Sequence, residues 1–186
     1  MEHAAAAAAL AGGHLHLDDA LPAGLAAELA HLLNGLALPP ELGAAGIACV
    51  GQVVVPEVID PQNPACLYAL IHYLDHTLPA LVSGWLGHPY VRPDAGCLPV
   101  WILRKGCYLD AAGPQPGIEV WLGLTGLRWP AAWGGHLEIL DEAGKRCGEV
   151  APGLGSLELI RGRVLQVPLL TRQVQALWIR TVLVPC

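Results

Sequence analysis

The apolar positions of this chain fall into two successive rhythms. Asp18 and Asp19 precede LPAGLAAELAHLLNGL, in which Leu21, Leu25, Leu29, Leu32, Leu33 and Leu36 recur at helical spacing. Acidic residues just before such a run suit the positive end of a helix dipole, and Gly35 or the Pro39, Pro40 pair ends it. The run CLYALIHYLDHTLPALVSGWLG repeats the pattern. Leu67, Leu70, Ile71, Leu74, Leu78 and Leu81 share one face, which predicts a second long helix. Between the two, GIACVGQVVVP at 46–56 is rich in valine and predicts a short strand, and residues 61–64 predict a turn.

After Gly87 the period shortens. The runs PVWILR, IEVWLGL, GHLEIL, SLELI, RVLQVPLL and VQALWIRTVLV are separated by Gly, Pro and Asp. That spacing predicts antiparallel strands in a sandwich or barrel. The expectation is one mainly β domain over 18–186, with helical support at 18–88 and a barrel at 89–186. An alanine-rich leader at 1–17, expected to be flexible, precedes it. A length of 186 residues suits a single domain with a full core.

Composition narrows the function classes. Hydrophobic residues make up 54% and charged residues 14%, yet no uninterrupted apolar run approaches about 18 residues, so no membrane span is expected. The formal charge is −6 and the 10 basic residues form no cluster, which argues against nucleic acid as a partner. The six cysteines include no Cys-x-x-Cys pair, which argues against a zinc knuckle or a dithiol redox motif. No basic residue precedes the leader's apolar run, unlike a secretory signal, so a cytoplasmic protein with free thiols is expected.

Four segments, in order, resemble the 2-oxoglutarate- and Fe(II)-dependent oxygenases in their prolyl-hydroxylase-like branch. GCYLDAAGP is similar to that family's Gly-x-Tyr-Leu-x-x-His-x-Asp stretch. IEVWLGLTGLRWPAAWGGHLEIL resembles its next strand, Trp-containing loop and Gly-Gly-x-Leu strand. EVAPGLGSLELI resembles the segment leading into the penultimate strand, and TRQVQALWI the final strand whose arginine holds the 2-oxoglutarate carboxylate. The resemblance implies a double-stranded β-helix, a jelly-roll barrel packed against the helices. It also implies an iron held by a His-x-Asp pair and a distant histidine.

Carried over by that resemblance, the first histidine falls on Ala112, the aspartate on Pro114 and the second histidine at or near Arg163. Alanine and proline side chains have no donor atom, and a guanidinium repels a cation. Register does not alter the conclusion, because His136 is the one histidine after His88. The reading is therefore of an oxygenase scaffold without its iron triad, with no cofactor expected and 2-oxoglutarate binding in doubt. Two classes remain open. One is a metal-independent acid–base enzyme acting on a small molecule held in the barrel. The other is a non-catalytic binding protein, or a subunit that buries surface against a second copy or a catalytic relative. A third possibility is an oxygenase with unusual metal ligands: His136, Asp110 and Glu119.

The candidate site residues follow. Tyr108 and Asp110 are an acid and a base at the rim, or a packed tyrosine and a loop aspartate. Glu119 is a buried base if its strand turns it inward, and a solvated residue if not. Arg172 matches the carboxylate-holding arginine, or stabilises a strand end. Arg163 lines the mouth or sits in a solvated turn. Trp121, with Trp129 and Trp133, stacks on a ligand or packs the core. Gly123, Ala112 and Gly113 are small and leave room in the cavity. His136 is a ligand-binding or structural histidine. His72 and His76, four apart on a helix beside Asp75, have the spacing to share a metal but no third ligand nearby, and His14 and His16 carry no expected role.

Overall fold

The computed structural model describes residues 3–43, 46–54 and 62–186, so Pro61 and the end of the valine-rich run lie outside the described residues. The first departure from expectation is the leader. His3–Ala11 forms a helix, α1, and His14–Leu17 forms an edge strand, β1. Leu10 and Ala6 are fully buried, and α1 packs on the later helix α4 (Leu78–Leu86) and on β10 (Leu154–Arg161). The loop between α1 and β1 is tied to the barrel. Arg163 Nη2 donates to the Gly12 carbonyl at 2.6 Å, and the Arg161 amide donates to the Gly13 carbonyl at 2.9 Å.

The expected helices are present with one interruption. α2 spans Ala23–Asn34 and buries Ala26, Leu29 and Leu33. α3 (Ala65–His72) runs through a π-helical turn (Tyr73–Thr77) into α4. The π turn carries Asp75, whose Oδ1 accepts from Arg92 Nε at 2.5 Å and whose Oδ2 accepts from the Gly96 amide at 2.9 Å. The Arg92 side chain is fully buried. This ion pair fastens the helical layer to the turn that leads into the barrel.

The strands pair in a single antiparallel path. β1, β10, β7 (Ile118–Leu124), β12 (Ala176–Pro185), β5 (Cys97–Leu103) and β3 (Gly46–Val54) form the larger leaf. β3 then passes to β6 (Tyr108–Ala112), β11 (Val164–Val167), β8 (Leu137–Leu140) and β9 (Arg146–Val150), the smaller leaf. β2 (Glu41–Gly43) extends β3, and β4 (Tyr90–Val91) extends β12. β3 is the crease. Its residues 49–54 pair with β5, while Gly46 and Ile47 pair with β6. Gly46 is required there, with φ of 134° and the Tyr108 carbonyl 2.3 Å from where a Cβ would sit. The sheet thus folds on itself as a half-barrel.

Alternation assigns the two faces of the larger leaf. Leu15, Leu157, Leu159, Val120, Leu122, Ile179, Val100 and Ile102 lie on one face by register and are buried, and α2 contacts β10, β7 and β12 there. That face holds the main core. Burial of a side chain of this size contributes about 1.5–3 kcal/mol, so this layer dominates stability. The other face looks into the fold. Among the described residues, no helix is long and apolar enough to cross a membrane.

Candidate functional site

The inward face of the larger leaf is where its polar groups collect. Register places Trp101 opposite Trp178, Trp178 opposite Gly123, and Arg180 opposite Trp121, with Glu119 two residues before Trp121 on the same face. Glu119 therefore points inward, which alternation alone left open. Its Oε2 accepts from Arg180 Nη2 at 2.9 Å, from Arg180 Nε at 3.2 Å and from Trp121 Nε1 at 3.3 Å. Among the described residues, no hydrogen bond falls on Oε1. The Arg180 guanidinium lies 5.0 Å from the ring centroids of both Trp101 and Trp121. The Glu119 side chain is 6% exposed and that of Arg180 25%. A planar cation between two indoles and a buried carboxylate is held by charge and by ring faces together. Arg180 escaped the sequence reading because it sits inside the apolar run ALWIRTVLV. Its alternation with Trp178 was the available signal.

The facing wall comes from the smaller leaf. Leu109, Ala112, Leu137, Leu165 and Val167 close the chamber over Trp101, Trp121, Glu119 and Arg180, and Asp110 and Gln166 complete its lining. β6 and β11 pair Leu165 with Ala112 but Val167 with Leu109, so β6 carries an extra residue at Asp110 and Ala111. Bulges of this kind re-aim side chains. Asp110 lines both this chamber and an outer groove of about 360 Å³ that includes Tyr108, Glu138 and Leu169. The chamber itself encloses about 40 Å³, little more than one water's share of liquid volume at roughly 30 Å³. Among the described residues, its lining includes no histidine and no cysteine. That donor set differs from the two imidazoles and one carboxylate implied by the resemblance. Ala112, the position implied for the first histidine, is register partner to Leu165.

Other expected site residues lie elsewhere. Arg172 is exposed in the turn before β12 and does not line the chamber. Arg163 is spent on the Gly12 carbonyl. Gly123 does not enlarge the cavity, because a Cβ there would stand 2.4 Å from the Gly153 carbonyl and 2.8 Å from Ser156 Oγ. Trp129 and Trp133 stack edge-on at 5.6 Å, with Trp129 Nε1 donating to the Gly134 carbonyl at 2.8 Å; they brace a loop and line no part of the chamber. Tyr108 borders the outer groove. The rings of His72 and His76 meet edge-on at 5.1 Å. His136 lies with Glu138 and Glu149, and Glu138 and Gln166 take the face opposite Leu137 and Leu165 by alternation, so it does not join Asp110 and Glu119.

His14 and His16, expected to be idle, are engaged. Glu158, fully buried on β10, accepts from His14 Nε2 at 2.8 Å and from His16 Nδ1 at 2.6 Å, and His16 Nε2 meets Asp18 at 2.9 Å. Burial depresses the His16 pKa, but the hydrogen bonds and charges of Asp18 and Glu158 outweigh it and raise the pKa above its ordinary value. His14, His16 and Asp18, with Glu149 and Ser156, line a second opening of about 360 Å³, bordered by both edge strands of the folded sheet.

The pairing β5–β12–β7–β10 facing β6–β11–β8–β9 is a curled antiparallel half-barrel, consistent with a jelly-roll-like fold. Its solved counterparts are 2-oxoglutarate- and Fe(II)-dependent oxygenases. A prolyl-4-hydroxylase from Pseudomonas putida superposes with a TM-score of 0.73 at 17% identity, covering 98% of each chain. A 2OG-Fe(II) oxygenase family oxidoreductase from Burkholderia pseudomallei gives 0.68 at 16% identity, covering 99% of this chain and 90% of the other. SnoN, the non-heme alpha-ketoglutarate-dependent epimerase of nogalamycin biosynthesis, gives 0.67 at 17% identity, covering 97% and 81%. At these identities the likeness concerns the fold. The sequence matches no family model and no curated protein.

Proposed function

We propose that this chain is an oxygenase-fold protein that performs no iron-dependent oxidation of 2-oxoglutarate, and that its chamber holds the polar edge of a small organic ligand. The observation that carries this reading is the Arg180–Glu119 pair. In the last strand Arg180 is the inward-facing cation, and Glu119 already neutralises it. An incoming carboxylate would have to displace a covalently tethered one. A neutral edge with one donor and one acceptor, such as a carboxamide, meets no such competition. It can accept from the free Arg180 Nη1 and donate to Glu119 Oε1. The enclosed 40 Å³ admits only that edge, so the rest of the ligand extends beyond the chamber.

A second reading, metal-independent acid–base catalysis, is favoured by Asp110. It sits on the β6 bulge, makes no hydrogen bond or ion pair among the described residues, and borders both the chamber and the outer groove, where it can take a proton from a ligand spanning the two. The test is succinate release from 2-oxoglutarate with Fe(II), ascorbate and oxygen, beside calorimetric titration with 2-oxoglutarate and a panel of small carboxamides. We expect no succinate, no 2-oxoglutarate binding, and carboxamide binding that is lost in both Glu119→Gln and Arg180→Met. Iron-dependent succinate release would overturn the reading.

A further inference from the structure

We propose that His136, Glu138 and Glu149 form a divalent-cation site on the outer face of the smaller leaf, one that takes zinc in preference to manganese. The trio arises from the strand ladder. Glu138 and Glu149 are register partners on β8 and β9, and His136 stands two residues before Glu138, on its face. One donor atom from each lies within 4.8 Å of the other two. His136 Nε2 is 3.4 Å from Glu138 Oε1 and 3.9 Å from Glu149 Oε1. Metal bonds of about 2.1 Å in a tetrahedron place donors roughly 3.4 Å apart. One edge already matches, a second must close by about half an ångström, and the third, between the two carboxylates, lies within 4.8 Å.

The imidazole supplies the second, independent indication. His136 is 4% exposed, and its Nδ1 is buried with no hydrogen-bond partner. Packing and a 3.4 Å contact from Nε2 to Glu138 Oε1 therefore hold the ring, with Nε2 turned toward the gap between two carboxylates. Its contact to Glu138 is long for a hydrogen bond. Arg146 Nη1 now spans that gap, 3.0 Å from Glu138 Oε1 and 3.0 Å from Glu149 Oε2. Its side chain is 57% exposed, so a cation can displace it into solvent at little cost. One imidazole and two carboxylates suit zinc, and the affinity order of divalent metals places zinc above manganese. A ligating histidine normally gives its other N–H to an acceptor, and loss of that contact weakens binding by about 10–100-fold. With Nδ1 unpaired, zinc affinity falls by that factor below that of a site with the contact in place.

The site lies across the smaller leaf from the chamber, so its occupancy leaves the iron-free reading of the barrel standing. The test is titration of the chelator-stripped full chain with zinc chloride and, separately, manganese chloride, followed by calorimetry. The expected result is one zinc per chain, bound more tightly than manganese. Glu149→Gln, at an exposed position that tolerates change, should weaken zinc at least tenfold, and His136→Ala likewise. Arg146→Ala should tighten it roughly tenfold by removing the competitor. A His72→Ala/His76→Ala double variant controls for the helical histidine pair and should bind as the natural chain does. The proposal is overturned by the absence of saturable binding, by unchanged affinity in Glu149→Gln, by weaker binding in Arg146→Ala, or by loss of binding in the helical double variant. Circular dichroism of each variant verifies folding, and Glu149→Gln keeps the test decisive where His136→Ala fails to fold.

Discussion

Replacing Glu119 by leucine removes the partner of a guanidinium that cannot shed its charge. Breaking a buried ion pair costs about 3–5 kcal/mol. The Arg180 side chain is 25% exposed, so water recovers part of its solvation, and about 2–3 kcal/mol is the expected loss. Arg180→Met is worse. It leaves a carboxylate that is 6% exposed with only the Trp121 N–H as donor. It also removes two cation–π contacts of about 0.5–1 kcal/mol each, for a total of about 4 kcal/mol. The double variant Glu119→Leu/Arg180→Met behaves differently. Its side chains are apolar, and they face Trp101, Trp121, Leu165 and Val167. Exchange of a buried pair for packed apolar groups is often neutral, so the double variant should lie within about 1 kcal/mol of the natural chain. The coupling energy should then exceed about 3 kcal/mol. Urea unfolding followed by far-ultraviolet circular dichroism measures it, since tryptophan emission would report the altered indoles as well as unfolding. Single losses below about 1 kcal/mol, or additive effects in the double variant, would refute the reasoning. A stable double variant that no longer binds the ligand would assign the pair to recognition and not to stability.

Two further outcomes follow from other charge clusters. Asp75→Ala strands the fully buried Arg92 side chain, so stability should fall by about 3–5 kcal/mol, and calorimetric Tm should drop by roughly 10 °C; a drop under about 3 °C contradicts the assignment. Because the folded His16 pKa is raised, its contribution is complete below its unfolded value of about 6.5 and is lost as pH rises through the folded value. Hydrogen-exchange protection of residues 14–17 should therefore decrease across that range, and His16→Gln should abolish the pH dependence; protection independent of pH in the natural chain would contradict it.

Most of the barrel was legible in the chain. All six apolar runs after Gly87 contain a strand, because strands buried on one or both faces must be apolar. β6 and β9 are not among them, since β6 has no fully buried residue, β9 is mostly exposed, and their sequences, YLDAA and RCGEV, carry too little apolar signal. The leader was misread for a related reason. An alanine run looks featureless, yet Ala6 and Leu10 suffice to seat a nine-residue helix, and four residues of HLHL suffice for an edge strand. In the site, Glu119 was found but its direction was not, because a strand's two faces are distinguished only by its neighbours' register. Arg172 matches a motif position, whereas alternation with Trp178 is the physical signal that selects Arg180 as the inward residue.

The account stands or falls on the donor set of the barrel chamber. Crystals grown with Fe(II) and 2-oxoglutarate, with anomalous scattering recorded at the iron edge, test it most directly. The account predicts no anomalous peak among Asp110, Ala112, Glu119 and Arg180, whatever occupies the outer-face trio. An iron peak inside that chamber, with 2-oxoglutarate beside it, would contradict it.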